Sequence, residues 1–272
     1  MNTTTTVSAT VTSADGTTIA YDKVGTGPAV ILVGGAFQYR SFDPRTAEIA
    51  TALSDRFSVY HYDRRGRGDS GDTQPYAVAR EVEDIAALIE AAGGPACLYG
   101  MSSGAPLALH AVSAGLDVPK IAVYEAPFLV DGGRAVGPDY LERLDARLAA
   151  GDRTGAVTLF LTEGVGVPAE YVGAMRAQPM WPGFEAVAPT LAYDGRIMDG
   201  TLAGRALPTS RWAAVTCPAL IADGGASPDS MRTAADALAA LLPDARRVTI
   251  PGQDHGVAPE AIVPLLAEFY GG

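Results

Sequence analysis

Residues 98–107 of the chain have the sequence LYGMSSGAPL, a short apolar run that breaks into Gly-x-Ser-x-Gly and continues with helical spacing. The apolar run predicts a buried strand that leads into the glycine-flanked serine. Gly100 and Gly104 stand two residues before and after Ser102, so the backbone can turn sharply and neighbouring elements can pack closely. A strand–turn–helix unit of this kind presents one serine at the edge of a sheet, which makes Ser102 a candidate nucleophile.

Strands and helices are predicted to alternate on both sides of this unit. Strand-like runs lie at residues 29–33, 57–62, 96–99, 120–124, 218–222 and 247–250. Helical spacing is found at residues 41–56, 77–92, 229–242 and 259–270. Such alternation is typical of a parallel sheet with helices on both faces. Two antiparallel strands at residues 5–13 and 17–24 precede it, so we predict an α/β fold with a mostly parallel eight-stranded sheet.

The alternation stops between residues 128 and 211, where helical segments separated by Gly and Pro replace it. We therefore predict a core domain of residues 1–127 and 212–272, with a helical cap of residues 128–211 inserted after the sixth strand. Aromatic and methionine side chains in the cap favour an apolar substrate cavity, and we predict that Met180 and Trp181 contact substrate. The same side chains could instead simply pack the cap, and the pattern does not separate these two interpretations.

The composition restricts the kinds of partner. A chain of 272 residues with 48% hydrophobic and 19% charged residues is long and apolar enough to bury a large core. The net charge of −11 argues against nucleic acid or an anionic membrane as a partner, because phosphate groups attract Lys and Arg. No apolar run reaches the roughly 18 residues of a membrane span. We expect a small molecule as the partner, and a homodimer stays open.

The two cysteines, Cys97 and Cys217, both fall in or beside predicted strands. Their spacing fits neither a disulfide framework nor a metal site, which favours core thiols in a reducing compartment. We therefore expect a cytoplasmic protein that uses no metal and no cofactor.

A serine nucleophile needs a base, and the chain has three histidines. His255 lies between the last predicted strand and the last helix, and we take it as the base; a surface-loop histidine is the alternative interpretation. His61 lies within a predicted strand and His110 on the helix after Ser102, where structural roles are favoured. Because Ser102 and His255 each follow a strand, both are expected at the carboxyl edge of the sheet, where ligands bind in such folds.

An oxyanion hole requires two backbone N–H groups that point to one position. Ser103, the residue after the candidate nucleophile, is predicted to supply one of them. Ala36, in the sequence GGAF at residues 34–37, is predicted to supply the other, although the two glycines are equally compatible with a simple tight turn. Residues that flank these elements and the cap entrance are predicted to contact substrate, namely Gly35, Phe37, Met101 and Phe128.

Taken together, four features resemble the α/β-hydrolase superfamily: GG at residues 34–35, DRRGRGDS at residues 63–70, GMSSG at residues 100–104 and DH at residues 254–255. The resemblance covers nearly the whole chain outside the predicted cap. Gly34 stands where the family usually has a histidine, a change that the hole tolerates because its donor is a backbone group. In this superfamily the arginine-rich loop is structural, with charges that pair beneath the active site.

The chain departs from the usual family pattern at the triad acid. Most members have an aspartate after the seventh strand, where PALIADGGASP at residues 218–228 places Ser227. Glu125, at the end of the sixth strand, is our preferred acid. The zearalenone-type lactonases resemble this chain in having the acid there, with SSGA after the fifth strand and Glu-x-Pro after the sixth. Asp223 and Asp229 are the alternative acids, and Glu125 could instead cap a helix or loop at the cap entrance.

The resemblance implies a serine hydrolase that cleaves an ester or lactone of a mainly apolar small molecule through an acyl-enzyme, with Ser102, His255 and Glu125 as the triad. Hydrolysis of a C–C bond, a lyase reaction or perhydrolysis would use the same constellation. A third reading is a small-molecule-binding protein without catalysis on a hydrolase scaffold, and Ser227 in the usual acid position is its only support.

Overall fold

The computed structural model describes residues 5–130, 132 and 134–272. Its strands are β1 Val7–Thr12, β2 Thr18–Val24, β3 Ala29–Val33, β4 Ser58–Tyr62, β5 Ala96–Met101, β6 Ile121–Tyr124, β7 Ala219–Gly224 and β8 Ala245–Ile250. They form one sheet in the order β1-β2-β4-β3-β5-β6-β7-β8. Among these strands β2 alone runs against the others, because it pairs antiparallel with both β1 and β4 while the remaining pairs are parallel. The predicted mostly parallel eight-stranded sheet is confirmed.

Helices cover both faces of the sheet. The core helices are α1 Pro44–Leu53, α2 Val78–Ala91, α3 Gly104–Ser113, α9 Asp229–Leu241 and α10 Pro259–Gly271. In β3, Val30 and Leu32 pack with α1 and α10, whereas Ile31 and Val33 pack with α2, α3 and α9. Every residue of β3 is therefore buried. This explains why the strand is a continuous apolar run, since it has no face toward water.

The strand order reverses between β3 and β5, which are neighbours in the sheet although β4 separates them in the chain. From β3 the chain continues to β4 on one side, and β5 begins the other half of the sheet. Helix α1, which follows β3, and helix α3, which follows β5, therefore lie on opposite faces of the sheet. In open parallel sheets, ligands bind at the point where the strand order reverses.

Further helices lie between β6 and β7, and we call them the cap helices. They are α4 Tyr140–Ala149, α5 Arg153–Leu159, a π-helical turn Phe160–Val165, α6 Ala169–Met175, α7 Trp181–Val187, a 3₁₀ turn Ala188–Thr190 and α8 Leu191–Ile197. They share an apolar cluster against which Ala36 and Phe37 also pack. The cap helices therefore lie over the loop that follows β3.

The exact limits of the cap, residues 128 and 211, stay a prediction. Residues 1–4, 131 and 133 of the predicted domains lie outside the described residues. Among the described helices, none combines the length and the hydrophobicity that crossing a lipid bilayer requires.

Candidate active site

Three residues other than glycine have a positive φ in the described part of the chain: Phe37 at 63°, Ser102 at 54° and Glu125 at 48°. This backbone region is rarely populated by residues with a side chain, and each case costs about 1–3 kcal/mol. The three residues follow β3, β5 and β6, which are neighbours in the sheet. The strained positions therefore lie side by side at the carboxyl edge of the sheet.

Ser102 occupies the sharp turn between β5 and α3. Its N–H donates to the Tyr124 carbonyl oxygen at 3.0 Å, which continues the sheet one residue beyond β5, and its carbonyl accepts from the Ala105 N–H at 3.0 Å. A Cβ atom on Gly100 would lie 2.6 Å from the Ala105 Cα, and one on Gly104 would meet the backbone of β3. Both glycines are thus required sterically, and the turn leaves the Ser102 side chain partly exposed.

His255 and Glu125 form a hydrogen-bonded pair. His255 Nδ1 lies 2.7 Å from Glu125 Oε2, and Glu125 Oε1 accepts a hydrogen bond from the Gly224 N–H at 2.9 Å. The Glu125 carboxylate is fully buried, whereas 46% of the His255 side chain is exposed. A carboxylate can only accept, so Nδ1 donates, and Nε2 of a neutral imidazole is then the basic nitrogen.

The loop that carries His255 is attached to β6. The Tyr124 hydroxyl donates to the Asp254 carbonyl oxygen at 2.6 Å. Burial, followed by the nearby Glu125 and Asp254 carboxylates, raises the pKa of Tyr124, so the hydroxyl stays a neutral donor. The Asp254 carboxylate accepts from the Gly256 N–H at 2.9 Å and so shapes its own loop. Two consecutive residues of the chain, 124 and 125, therefore hold the His255 loop in place.

The alternative acids point elsewhere. Asp223 is buried, and its Oδ1 accepts from Arg247 Nη1 and from Thr249 Oγ1, both at 2.7 Å. These contacts direct its carboxylate toward β8. Asp229 is almost fully exposed at the start of α9. Within the described part of the chain, neither carboxylate forms a hydrogen bond with His255.

Ser102 and His255 belong to different loops, after β5 and after β8. Among the described residues, neither Ser102 Oγ nor His255 Nε2 has a hydrogen-bond partner. Bonds between nucleophile and base are often long before substrate binds and tighten in the complex. Proton transfer between these two residues is therefore part of the proposal below.

The loop after β3 lies directly against the Ser102 turn. A Cβ atom on Gly35 would come within 2.7 Å of the Ser102 Cβ and 2.9 Å of the Met101 carbonyl oxygen. The Gly35 N–H donates to Gln38 Oε1 at 2.6 Å, which closes the loop on itself. The two residues predicted to form the oxyanion hole, Ala36 and Ser103, thus belong to two segments in close contact. Gln38 was not predicted, because no motif distinguishes it from other loop glutamines.

Residues 29–265 match the model of the alpha/beta hydrolase family. The chain belongs to this family. Its structure is similar to that of an alpha/beta hydrolase from Sphaerobacter thermophilus DSM 20745, with a TM-score of 0.88 and 54% identity over 96% of this chain and 100% of that chain. The enol-lactonase from Burkholderia xenovorans LB400 shares the fold with a TM-score of 0.71, at 18% identity over 98% of this chain and 100% of that chain.

A curated relative of this alpha/beta hydrolase is the probable protein phosphatase methylesterase 1 of Caenorhabditis elegans. The two are 30% identical over 119 residues, which are 41% of this chain and 32% of that protein. The chain thus spans about a third of the relative's length. The predicted membership of the superfamily is confirmed.

The residues predicted to contact substrate divide into two groups in the hydrolase. Gly35, Phe37 and Met101 lie at the junction of the loop after β3 with the Ser102 turn. The Phe37 ring lies 4.3 Å from the ring of Phe184 in α7, measured between centroids, so it packs against the cap helices. These residues form an apolar boundary beside Ser102.

Of the other three, Phe128 and Met180 lie away from that junction, and Trp181 is joined to it through Phe184, with ring centroids 6.2 Å apart. Phe128 is buried in the main core and stacks on Trp212 at 6.4 Å, so its side chain fills the protein interior. Met180 is exposed at the cap surface. Trp181 is buried among the cap helices, and its Nε1 donates to Glu185 Oε1 at 2.8 Å. Helical segments with Gly and Pro between them gave no register from which these orientations could be predicted.

No group of three or more His, Cys, Asp or Glu side chains in the described part of this hydrolase is arranged to hold a metal ion.

Replacing Gly35 by alanine is expected to lower kcat/KM by about 10²-fold, because the new methyl group must push the loop after β3 away from Ser102. Steady-state kinetics on any accepted substrate measures this loss. Gly173→Ala is the matched control, because a Cβ there meets nothing within 4 Å and alanine favours the helix α6. Full activity in Gly35→Ala would show that this loop does not form part of the site.

Proposed function

We propose that this alpha/beta hydrolase is a serine hydrolase that cleaves a carboxylic ester or a lactone through an acyl-enzyme. The observation that carries the proposal is the hydrogen bond of 2.7 Å between His255 Nδ1 and the buried Glu125 carboxylate. Ser102, with a φ of 54°, follows β5 at the same edge of the sheet. A buried carboxylate that orients an imidazole is the arrangement that lets the imidazole activate a hydroxyl nucleophile.

In the first half of the reaction, Ser102 Oγ attacks the substrate carbonyl while His255 Nε2 accepts the hydroxyl proton. The Glu125 carboxylate keeps the imidazole in the required tautomer and stabilises the imidazolium that forms. The N–H groups of Ala36 and Ser103 stabilise the oxyanion of the tetrahedral intermediate. His255 then gives its proton to the leaving oxygen as the ester C–O bond breaks.

In the second half, water attacks the acyl group on Ser102 and gives a proton to His255. Collapse of the second tetrahedral intermediate returns that proton to Ser102 Oγ and releases the carboxylic acid. An ester thus gives an acid and an alcohol, whereas a lactone gives a single hydroxy acid. The aromatic contacts of Phe37 with the cap helices favour a mainly apolar acyl or ring portion.

The reading as a binding protein without catalysis loses its support in this geometry. It depended on Ser227 in the usual acid position, but Glu125 already supplies His255 with a buried carboxylate. C–C bond hydrolysis, a lyase reaction and perhydrolysis use the same side chains, and we treat them as outcomes of the experiment.

The experiment combines labelling with a product screen. A fluorophosphonate probe should form one adduct, on the peptide that contains Ser102, and His255→Ala should label far more slowly because its serine lacks a base. In parallel, p-nitrophenyl esters, lactones and β-diketones are incubated with the enzyme and their products are identified by mass. Turnover of esters or lactones supports the proposal. Cleavage of diketones alone, or no labelling of Ser102, contradicts it.

A further inference from the structure

A neutral network of four charged side chains is buried between the core and the cap helices. Its members are Arg64, Arg67, Glu81 and Asp194, each only 1% exposed. Arg64 binds both oxygens of Glu81 at 2.7 Å, and it contacts Asp194 Oδ1 at 2.7 Å. Arg67 Nη2 contacts Asp194 Oδ2, also at 2.7 Å. Buried ion pairs contribute little net stability, so the backbone groups that this network contacts are the more informative feature.

The arginines bind the loop after β3. Arg67 Nη1 donates to the Gly35 carbonyl oxygen at 2.5 Å, and Arg64 Nη1 donates to the Gly34 carbonyl oxygen at 3.3 Å. The Gly35 carbonyl belongs to the same peptide unit as the Ala36 N–H. Because a trans peptide is planar, fixing the carbonyl direction fixes the opposite direction of the N–H. A charged donor on the carbonyl also polarises the unit and strengthens the Ala36 N–H as a donor.

The Asp194 carboxylate also contacts the segment that follows β5, which carries the second proposed oxyanion donor. Ser103 Oγ donates to Asp194 Oδ1 at 2.7 Å, and Ser103 carries the other proposed oxyanion N–H. Burial opposes the ionisation of Asp194, but Arg67, Arg64 and the Ser103 hydroxyl outweigh it and lower its pKa. Asp194 is thus a carboxylate that contacts one oxyanion segment directly and the other through Arg67.

Helix α8, which carries Asp194, is fixed to the core by its neighbouring residue. The Tyr193 ring stacks on Tyr76 with centroids 3.7 Å apart. The Tyr193 hydroxyl is hydrogen-bonded to Asp72 at 2.8 Å and to Gln74 at 2.7 Å. Helix α8 is therefore held against the core also by contacts that do not involve Asp194 itself.

We infer that Asp194 is a positioning residue, which holds the Ala36 and Ser103 N–H groups in the orientation that meets the oxyanion of the tetrahedral intermediate. The inference rests on the proposed function, because it needs an oxyanion to form at that point. Two guanidinium groups neutralise the carboxylates, so the network orients the donors without placing excess negative charge beside the oxyanion.

The test begins with Ser103→Ala, which keeps the backbone N–H and removes the hydroxyl that binds Asp194. Removing an oxyanion donor outright costs about 10²–10³ in kcat, so a loosened donor should cost about tenfold. KM should stay within about twofold, because the ground-state carbonyl gains little from the hole. Asp194→Asn, which also releases Arg67 from its charged partner, should lower kcat by about 10² per folded molecule.

Asp84→Asn is the matched control. Asp84 is a buried carboxylate that binds Arg65 of the same loop at 2.7 Å, but Arg65 contacts neither oxyanion segment in the described hydrogen bonds. It should lower the melting temperature, as Asp194→Asn does, while its kcat per folded molecule stays at the wild-type value. If Asp194→Asn does not fold, Ser103→Ala still tests the contact between Ser103 and Asp194, because it removes only a hydroxyl group.

Inhibition by an alkyl boronic acid, which forms a tetrahedral adduct with the serine, gives a readout that loss of stability does not move. Its inhibition constant should rise with the fall in kcat for Ser103→Ala and Asp194→Asn and stay unchanged for Asp84→Asn. If the wild type is active and both Ser103→Ala and Asp194→Asn keep its kcat per folded molecule, the positioning role is overturned but the proposed function is not. A wild type that neither labels with fluorophosphonate nor cleaves esters or lactones overturns the proposed function as well.

Discussion

Glu125→Gln is expected to lower kcat for ester or lactone hydrolysis by roughly three to four orders of magnitude. The Glu125 carboxylate is the group that holds His255 Nδ1–H, at 2.7 Å. An amide in its place can donate to Nδ1, which moves the imidazole proton to Nε2. A protonated Nε2 cannot accept the proton of Ser102, and the charge that stabilises the imidazolium is also lost.

Asp223→Asn is the control for this substitution, because it removes the buried carboxylate that is the alternative acid. It disturbs the contacts with Arg247 and Thr249 and should therefore affect stability. Its kcat per folded molecule should stay near the wild-type value. Steady-state kinetics with a p-nitrophenyl ester, normalised to folded protein by circular dichroism, compares the two variants. The reverse pattern, with Asp223→Asn inactive and Glu125→Gln active, would move the triad acid to Asp223.

Ser102→Ala is expected to lower kcat by about 10⁶-fold and to abolish fluorophosphonate labelling, because the nucleophile itself is removed. Rate enhancement of about 10³–10⁴ over water should persist, since the oxyanion donors and the substrate contacts are still present. The measurement is hydrolysis of the best substrate from the screen, with Ser113→Ala, at the end of α3 and away from the turn, as a purification control.

Ser102→Gly separates the chemical role of this residue from its strained backbone. It should be as inactive as Ser102→Ala, but more stable by about 1 kcal/mol, because glycine adopts a φ of 54° without a Cβ penalty. Denaturant unfolding of the two variants measures the difference. Equal stability would show that the turn imposes no strain, and substantial residual labelling of either variant would identify a different nucleophile.

Much of the site could be predicted because its residues follow strands. A continuous apolar run such as β3 indicates a strand covered on both faces, and parallel strands bring their carboxyl ends to one edge. Ser102, Glu125 and His255 could therefore be placed at one edge from local patterns, whereas the role of Glu125 also required the resemblance to the family. The departure at Ser227 directed attention to Glu125, whose hydrogen bond with His255 now supports that choice of acid.

The contacts that depend on how the cap helices dock could not be predicted in this way. Asp194 lies in LAYDGRI, a short helical segment in which one aspartate is compatible with an exposed position. Its burial becomes visible only when α8 meets the loop after β4. One signal was present: Arg64 and Arg67, if buried, require carboxylate partners, and a search for acids within apolar cap segments would have included Asp194.

The neutral network also limits which segments between β6 and β7 can be replaced by those of another protein. Asp194 comes from the cap helices, whereas the two guanidinium groups that it pairs with come from the loop after β4. A chimera that replaces the whole segment between β6 and β7 would leave Arg67 without a carboxylate partner, whereas Arg64 would keep Glu81. An exchange of cap segments in this protein should therefore keep α8 together with the core, because α8 carries the partner of Arg67.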